Sequence, residues 1–284
     1  MTADIQQFTL GQATVSVINI GDLYLPLADN MTISATEMRK QPHSQPLLDL
    51  VRMPIYCVCV QLPKTTVLID AGIYDVNTYP QYAIPDYTPP PTLIENLAQI
   101  GLQPEAIQHL IVTHLHWDHF NGLTVRKEGR YVPQFPNATV YLGQADWDAA
   151  QNALTDPTTL EYNTLRPLAE ENQLHILTEA TAITDTITVI PAPAETAGHQ
   201  IVRIESAGET LYCVGDLYNH PVEFIYPDWM VSWSDPAATQ KSRSAFVARA
   251  LSENALIVAA HIRTIGRLQQ TDAGIRWVPT KSGY

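Results

Sequence analysis

Positive charge is scarce in this chain: 16 Lys and Arg stand against 29 Asp and Glu, a net charge of −13 over 284 residues. Such a field repels phosphate backbones and anionic lipid, so neither nucleic acid nor a membrane surface is an expected partner. An acidic surplus can also hide metal-binding carboxylates, because a bound cation lowers the true charge. Cysteine is scarcer still, with Cys57, Cys59 and Cys213 the only three. An odd, small number does not build a disulfide framework. Cys57 and Cys59 sit two apart in a strand-like run, point to one face, and read as small buried hydrophobes rather than thiolate ligands. Long apolar runs are missing: residues 255–260 fall far short of a membrane span. The opening MTADIQQFTLGQ carries an acid and no apolar stretch of the signal-peptide kind. The expectation is a cytoplasmic protein acting on a small molecule.

What is present is a globular composition, 45% apolar and 16% charged, which excludes disordered, collagen-like and coiled-coil classes. No linker or repeat interrupts the chain, which reads as one domain over residues 1–284. Strands are expected at residues 13–20, 55–62 and 66–70, the last two joined by a turn at 63–64. Residues 26–54 read as a long excursion over the surface. Residues 74–91 (YDVNTYPQYAIPDYTPPP) are too proline-rich for helix or central strand, and could form a substrate lid. The apolar spacing of residues 92–100 predicts a helix ended by Gly101. Residues 109–113 (HLIVT) read as a buried strand. Further strands are expected at 139–142, 175–177, 187–190, 201–206, 210–214 and 256–260, with an edge strand at 276–278. Helices are expected at 144–152, 157–169 and 236–253. Two β-rich halves with outer helices imply two face-to-face sheets covered by helices on both sides.

Residues 113–119 read THLHWDH and hold His114, His116, Asp118 and His119. Imidazole nitrogen and carboxylate oxygen are the ligands of catalytic zinc. The run leaves a buried strand at its C-terminal end, where α/β folds place chemistry. His114 and His116 can converge on one ion, and Asp118 and His119 are offset toward a second. One ion cannot use all four and keep an open position. Three distant partners sit at strand ends: His199, Asp216 and His261. Seven ligands suit two ions with one carboxylate bridging.

HLHWDH, then GH, GD and a final histidine, resembles the metallo-β-lactamase superfamily, as does the DAG at residues 70–72. The resemblance implies a four-layer αββα sandwich and a dinuclear centre. His114, His116 and His199 would bind one metal, Asp118, His119 and His261 the other, and Asp216 would bridge. Zinc is the first choice, with iron or manganese as alternatives. The implied chemistry is hydrolysis of an ester, lactone or phosphotriester by a hydroxide shared between the metals, with Asp118 relaying a proton to the leaving group. The alternatives are a mononuclear-iron dioxygenase on the same scaffold or a thioester hydrolase. The segment GDLYNHP (residues 215–221) and RTIGR (263–267) look most like the branch holding lactonases and organophosphate hydrolases. A tyrosine that one lactonase subgroup places three residues after the bridging Asp is replaced by Asn219, with Tyr218 beside it.

Imidazoles need orienting groups, and Asp70 and Thr113 are the candidates. Trp117 and Phe120 flank the metal motif and could face substrate, as could Tyr218, Asn219 and His220. His43, His109 and His175 read as structural. The aromatic stretch Tyr218, Phe224, Tyr226, Trp229 and Trp233 could line an apolar pocket, pack in the core, or be buried by a homodimer.

Overall fold

The structure is a computed structural model that describes residues 4–74, 78–79, 81, 92–272 and 274–280. The loop expected as a lid, 74–91, therefore lies mostly outside the described residues. The first half opens as an antiparallel meander of β1 (Asp4–Leu10), β2 (Ala13–Leu25), β3 (Val51–Gln61) and β4 (Thr66–Ile69). The helix Leu93–Gln99 then carries the chain to β5 (His109–Ile111), parallel to β4. That helix starts on a capping box, with Thr92 accepting from the Glu95 N–H and Glu95 accepting from the Thr92 N–H. A separate hairpin follows, β6 (Thr124–Lys127) with β7 (Arg130–Pro133). β8 (Thr139–Gly143) and β9 (Leu174–Leu177) extend the first sheet in parallel. Its order is β1-β2-β3-β4-β5-β8-β9.

The second half repeats the plan. β10 (Thr181–Ala182), β11 (Ile187–Pro191), β12 (Gln200–Ser206) and β13 (Glu209–Cys213) form a meander. The helix Pro236–Ser252, capped by Asp235, crosses over to β14 (Leu256–Val258), parallel to β13. β15 (Gly266–Thr271) and β16 (Gly274–Pro279) close this sheet as an antiparallel pair. β1, β6, β7, β10 and β15 were not legible in the sequence, and the remaining strands match the expected ones to within a few residues except β2, which runs five residues further.

Three apolar layers hold the sandwich together. Val15, Val17, Val58, Val60 and Ile69 of the first sheet meet Val189, Val202, Ile204, Leu211 and Val258 of the second. The opposite face of β3 gives Cys57 and Cys59 to a layer under Leu93, Leu97, Leu165 and Leu168 of the outer helices. Burial on both faces explains why β3 is apolar without alternation. Tyr212 and Ile257 pack beneath Phe246 and Ala250 of the helix Pro236–Ser252. The result is the αββα architecture, with two mixed sheets.

One expectation needs correction. Residues 26–54 do not merely skirt the surface. Leu27, Met31, Met38, Leu47 and Met53 form a fourth apolar cluster with Val222, Trp229 and Val231. Irregularly spaced apolar residues carry no period, so this packing has no signature in the local sequence.

The paired parallel strands place the site. β4 and β5 end level, Ile69 opposite Ile111, and β13 and β14 end level, Cys213 opposite Val258. Asp70, the THLHWDH run, Asp216 and His261 therefore leave the two sheets at one rim. His199 and the loop before it come from the turn between β11 and β12.

Candidate metal centre

The structure brings all seven expected ligand residues together. His114 Nε2 lies 2.9 Å from His116 Nδ1 and 3.7 Å from Asp216 Oδ2. His119 Nε2 is 3.3 Å from Asp216 Oδ2 and 3.8 Å from Asp118 Oδ2. His261 Nε2 is 3.1 Å from Asp216 Oδ2 and 3.4 Å from Asp118 Oδ2. His199 Nε2 lies 3.2 Å from the Asp216 N–H, with its ring 5.0 Å from that of His114. Asp216 thus touches both sides of the cluster. Two ligands about 2.1 Å from one ion at a tetrahedral angle stand about 3.4 Å apart, the range these pairs span.

Four of the five rings are held by the nitrogen that faces away from the cluster. The Nδ1–H of His119 donates to Asp70 Oδ2 at 2.9 Å, that of His199 to the Ala192 carbonyl at 3.0 Å, and that of His261 to the Pro54 carbonyl at 2.7 Å. His114 Nδ1 lies 3.2 Å from Thr113 Oγ1. Thr113 in turn gives its N–H to Asp70 Oδ1 at 2.7 Å and its hydroxyl to Asp70 Oδ2 at 2.9 Å. One carboxylate therefore orients rings of both ligand groups, directly for His119 and through Thr113 for His114. This arrangement fixes the tautomer and aims Nε2 at the cluster.

The electrostatics suit a cation. Burial, with the charges of His119 and His116, holds His114 well below the usual imidazole range, and burial brings His199 down to about 4. Both are neutral and able to ligate. Burial works against ionising Asp216, yet His261 and His119 hold it well below the usual carboxylate range. Burial likewise opposes charge on His261, and Asp216 overrides it and raises the ring to about 9. Two buried atoms here, His119 Nε2 and Asp216 Oδ1, have no hydrogen-bond partner. Buried polar atoms left unmatched in this way are expected where an ion belongs. The donor set, five imidazoles and two carboxylates, fits two divalent ions.

Two further carboxylates, Asp146 and Glu195, shape the site without belonging to any motif in the sequence. Asp146, in the first turn of the helix Gln144–Ala150, is buried. It accepts from the Leu115 N–H at 2.9 Å, the Thr196 hydroxyl at 2.9 Å and the Gly198 N–H at 2.7 Å. It thereby ties the THLHWDH loop to the loop carrying His199. Gly198 is required there, since a Cβ would stand 2.4 Å from the Asp146 nitrogen. Glu195 is the other. Its Oε1 accepts from Asn219 Nδ2 at 2.6 Å and its Oε2 from the Trp233 indole at 2.6 Å, with His116 Nδ1 3.2 Å away. Its carboxylate lies within 4.8 Å of ligand atoms of His114, His116 and Asp216. The only sequence signal for it is that it is the one charged residue between Pro191 and His199.

A cavity of about 610 Å³ opens over the cluster, lined by His116, Trp117, Asp118, Glu195, Asn219 and His261, with Leu23, Leu25, Met53 and Val231 as its apolar wall. A larger one, about 720 Å³, lies by the β6–β7 hairpin against Arg126, Tyr131 and Arg166 and holds none of the expected site residues. Trp117 and Asn219 thus stand where substrate could reach them. Phe120, Tyr218 and His220 do not. Phe120 is buried in the layer beneath the first sheet. Tyr218 is buried against Phe224, ring centroids 4.0 Å apart, with the Arg243 guanidinium 4.5 Å above it. His220 turns its Nδ1 to the Val222 N–H. The rings that a second copy could have hidden are largely hidden already: Phe224 stacks on Trp277, Trp229 on Tyr226, and Trp233 alone among the five is 48% exposed.

Residues 50–261 match the family model of the metallo-beta-lactamase superfamily. The chain belongs to that superfamily. Among superfamily members with solved structures, the hydrolase AbOPH superposes with a TM-score of 0.79 at 20% identity, covering 99% of both chains. AidC, a dizinc quorum-quenching lactonase solved with the product N-hexanoyl-L-homoserine, superposes with a TM-score of 0.78 at 19% identity, covering 98% of both chains. An N-acyl homoserine lactonase from Bacillus sp is 22% identical over 183 residues, 60% of this chain. The matches to that protein and to a second such lactonase, from Bacillus cereus, span 66% and 42% of the relatives' own lengths. Among the described residues, no helix is long and apolar enough to cross a membrane.

Proposed function

We propose that this superfamily member is a two-metal hydrolase whose substrates are lactones, with simple esters and phosphotriesters as the neighbouring classes. The observation that carries the reading is the convergence of seven donors, six of them buried and His116 partly exposed, beneath a cavity with one apolar wall. The lactonase names of the relatives support it. His114, His116 and His199 would hold one divalent ion and Asp118, His119 and His261 the other, with Asp216 between them. When bound, such a pair, zinc first and iron or manganese as alternatives, supplies Lewis-acid polarisation of the scissile carbonyl and ionisation of water near neutral pH.

The chain's own residues do the rest. Asp70 and Thr113 keep the ring nitrogens aimed inward, so no reorganisation is needed when charge develops. Asp118, beside His261 and lining the cavity, holds or passes a proton at its carboxylate when the alkoxide leaves. Leu23, Leu25, Met53 and Trp117 offer an apolar seat for an acyl chain. In a cytoplasmic setting the buried thiols Cys57, Cys59 and Cys213 stay as packing groups; burial pushes Cys59 up to about 12.

The test is a panel of lactones, aryl esters and phosphotriesters with the purified protein, before and after chelation and with Zn²⁺, Mn²⁺ or Co²⁺ restored. Lactone opening that disappears on chelation and returns with metal is the expected result. Hydrolysis indifferent to chelation would overturn the reading. So would one iron per chain with no hydrolysis, the result expected of a dioxygenase.

A further inference from the structure

We infer that the larger cavity, beside the β6–β7 hairpin, is a second ligand site that binds a small organic phosphate ester. The inference stands apart from the proposed reaction. The cavity holds about 720 Å³, within the range that accommodates a small organic molecule, and shares no lining residue with the cavity over the metal ligands. Its charge runs against that of the whole chain. Three of the 16 basic residues, Arg126, Arg130 and Arg166, line it, in a protein of net charge −13. Glu170 is the one acid in the lining, and Arg166 Nε already donates to its Oε1 at 2.7 Å. Arg166 Nη1 donates to the Tyr162 hydroxyl at 2.7 Å, which leaves three of the five N–H groups of that guanidinium open. Among the described residues, the guanidiniums of Arg126 and Arg130 have no carboxylate or carbonyl partner.

The two walls are tied to each other. The helix Leu160–Glu170 contains Pro167, which cannot donate to the Asn163 carbonyl four residues back. The hydroxyl of Thr124, the first residue of β6, donates there instead at 3.2 Å. Alternation along β6 puts Arg126 on the same face as Thr124, and Tyr131 stands directly opposite Arg126 across the hairpin. Arg126 and Tyr131 therefore share the face that docks on the helix carrying Arg166. The Tyr131 hydroxyl is buried without a hydrogen-bond partner, a donor for which an anionic ligand supplies the acceptor. Guanidiniums from two walls suit a tetrahedral dianion, whose oxygens point several ways, better than a planar carboxylate that one guanidinium holds by itself. The rings of Tyr79, Tyr131 and Tyr162 add apolar surface for the organic part of the ester.

The test is calorimetric titration of the metal-loaded protein with phenyl phosphate, inorganic phosphate and benzoate. Either phosphate could also meet the metals, so the wild-type chain is compared with Arg126→Ala/Arg130→Ala, which keeps all seven metal donors. Both side chains are exposed, so the variant should retain the wild-type melting temperature and metal content. The wild-type chain should show a phenyl phosphate binding event that weakens at least about tenfold in the variant and fades with added salt. Benzoate should bind the wild-type chain at least about tenfold more weakly than phenyl phosphate. Identical phenyl phosphate titrations of the two chains would put all binding at the metals and overturn the inference, as would no binding at all. Inorganic phosphate bound as tightly as phenyl phosphate would overturn the ester in favour of a bare anion site, and benzoate bound as tightly would overturn the phosphate. Should the double variant fail to fold, Arg166→Gln tests the opposite wall, with the same weakening expected and unchanged binding again overturning the inference.

Discussion

Replacing Asp146 with asparagine should loosen the candidate metal centre without removing any of its ligands. Asp146 accepts from two backbone N–H groups, Leu115 and Gly198, and from the Thr196 hydroxyl. Asparagine has the same shape but only one acceptor oxygen. If that oxygen keeps Leu115 and Thr196, its NH2 faces the Gly198 N–H, donor against donor. A buried donor left unmatched costs about 1–3 kcal/mol. At about 2–4 °C per kcal/mol for a chain approaching this size, the melting temperature should fall by roughly 2–12 °C. Loss of a partner that orients the ligand loops should also weaken metal binding by about 10–100-fold. Thermal melting by circular dichroism and competition against a chromophoric chelator read the two effects separately. A variant that melts with the wild-type chain and holds metal as tightly would refute the latch between the two loops.

Asp70→Asn tolerates the same left-handed backbone, φ 58°, but cannot accept from Thr113 twice and from His119 at once. Metal affinity should drop by about 10–100-fold in the same competition assay, with the fold retained. Gly215→Ala places a methyl 2.9 Å from His199 Nε2 on a backbone at φ +51°, so the metal held by His199 should be lost first, seen as a fall from two ions to one by elemental analysis. Arg243→Met leaves the buried Glu223 carboxylate without its guanidinium, so stability measured by urea unfolding should fall by about 3–5 kcal/mol.

The metal chemistry was legible because its ligands cluster in sequence. THLHWDH places four donors within six residues, and each remaining donor follows or precedes an apolar strand. Asp70 and Thr113 could be named because a ring at a metal needs an acceptor behind it. Asp146 and Glu195 could not. Each works through contacts to residues 24 to 52 positions away, and nothing local marks a carboxylate that bridges two loops. Phe120 and Tyr218 adjoin the ligands in sequence, which leaves both the cavity and the core open to them, and a helix and a turn carry them into the apolar layers. β1 and β15, DIQQFTL and GRLQQT, are edge or near-edge strands whose polar residues dilute the alternation that marks a strand.

Anomalous diffraction at the metal absorption edges, from crystals grown with the metal that restores activity, tests the central claim most directly. Two peaks are expected, one enclosed by His114, His116, His199 and Asp216, the other by Asp118, His119, His261 and Asp216. A single peak, or density held by residues outside these seven, would contradict the two-metal centre.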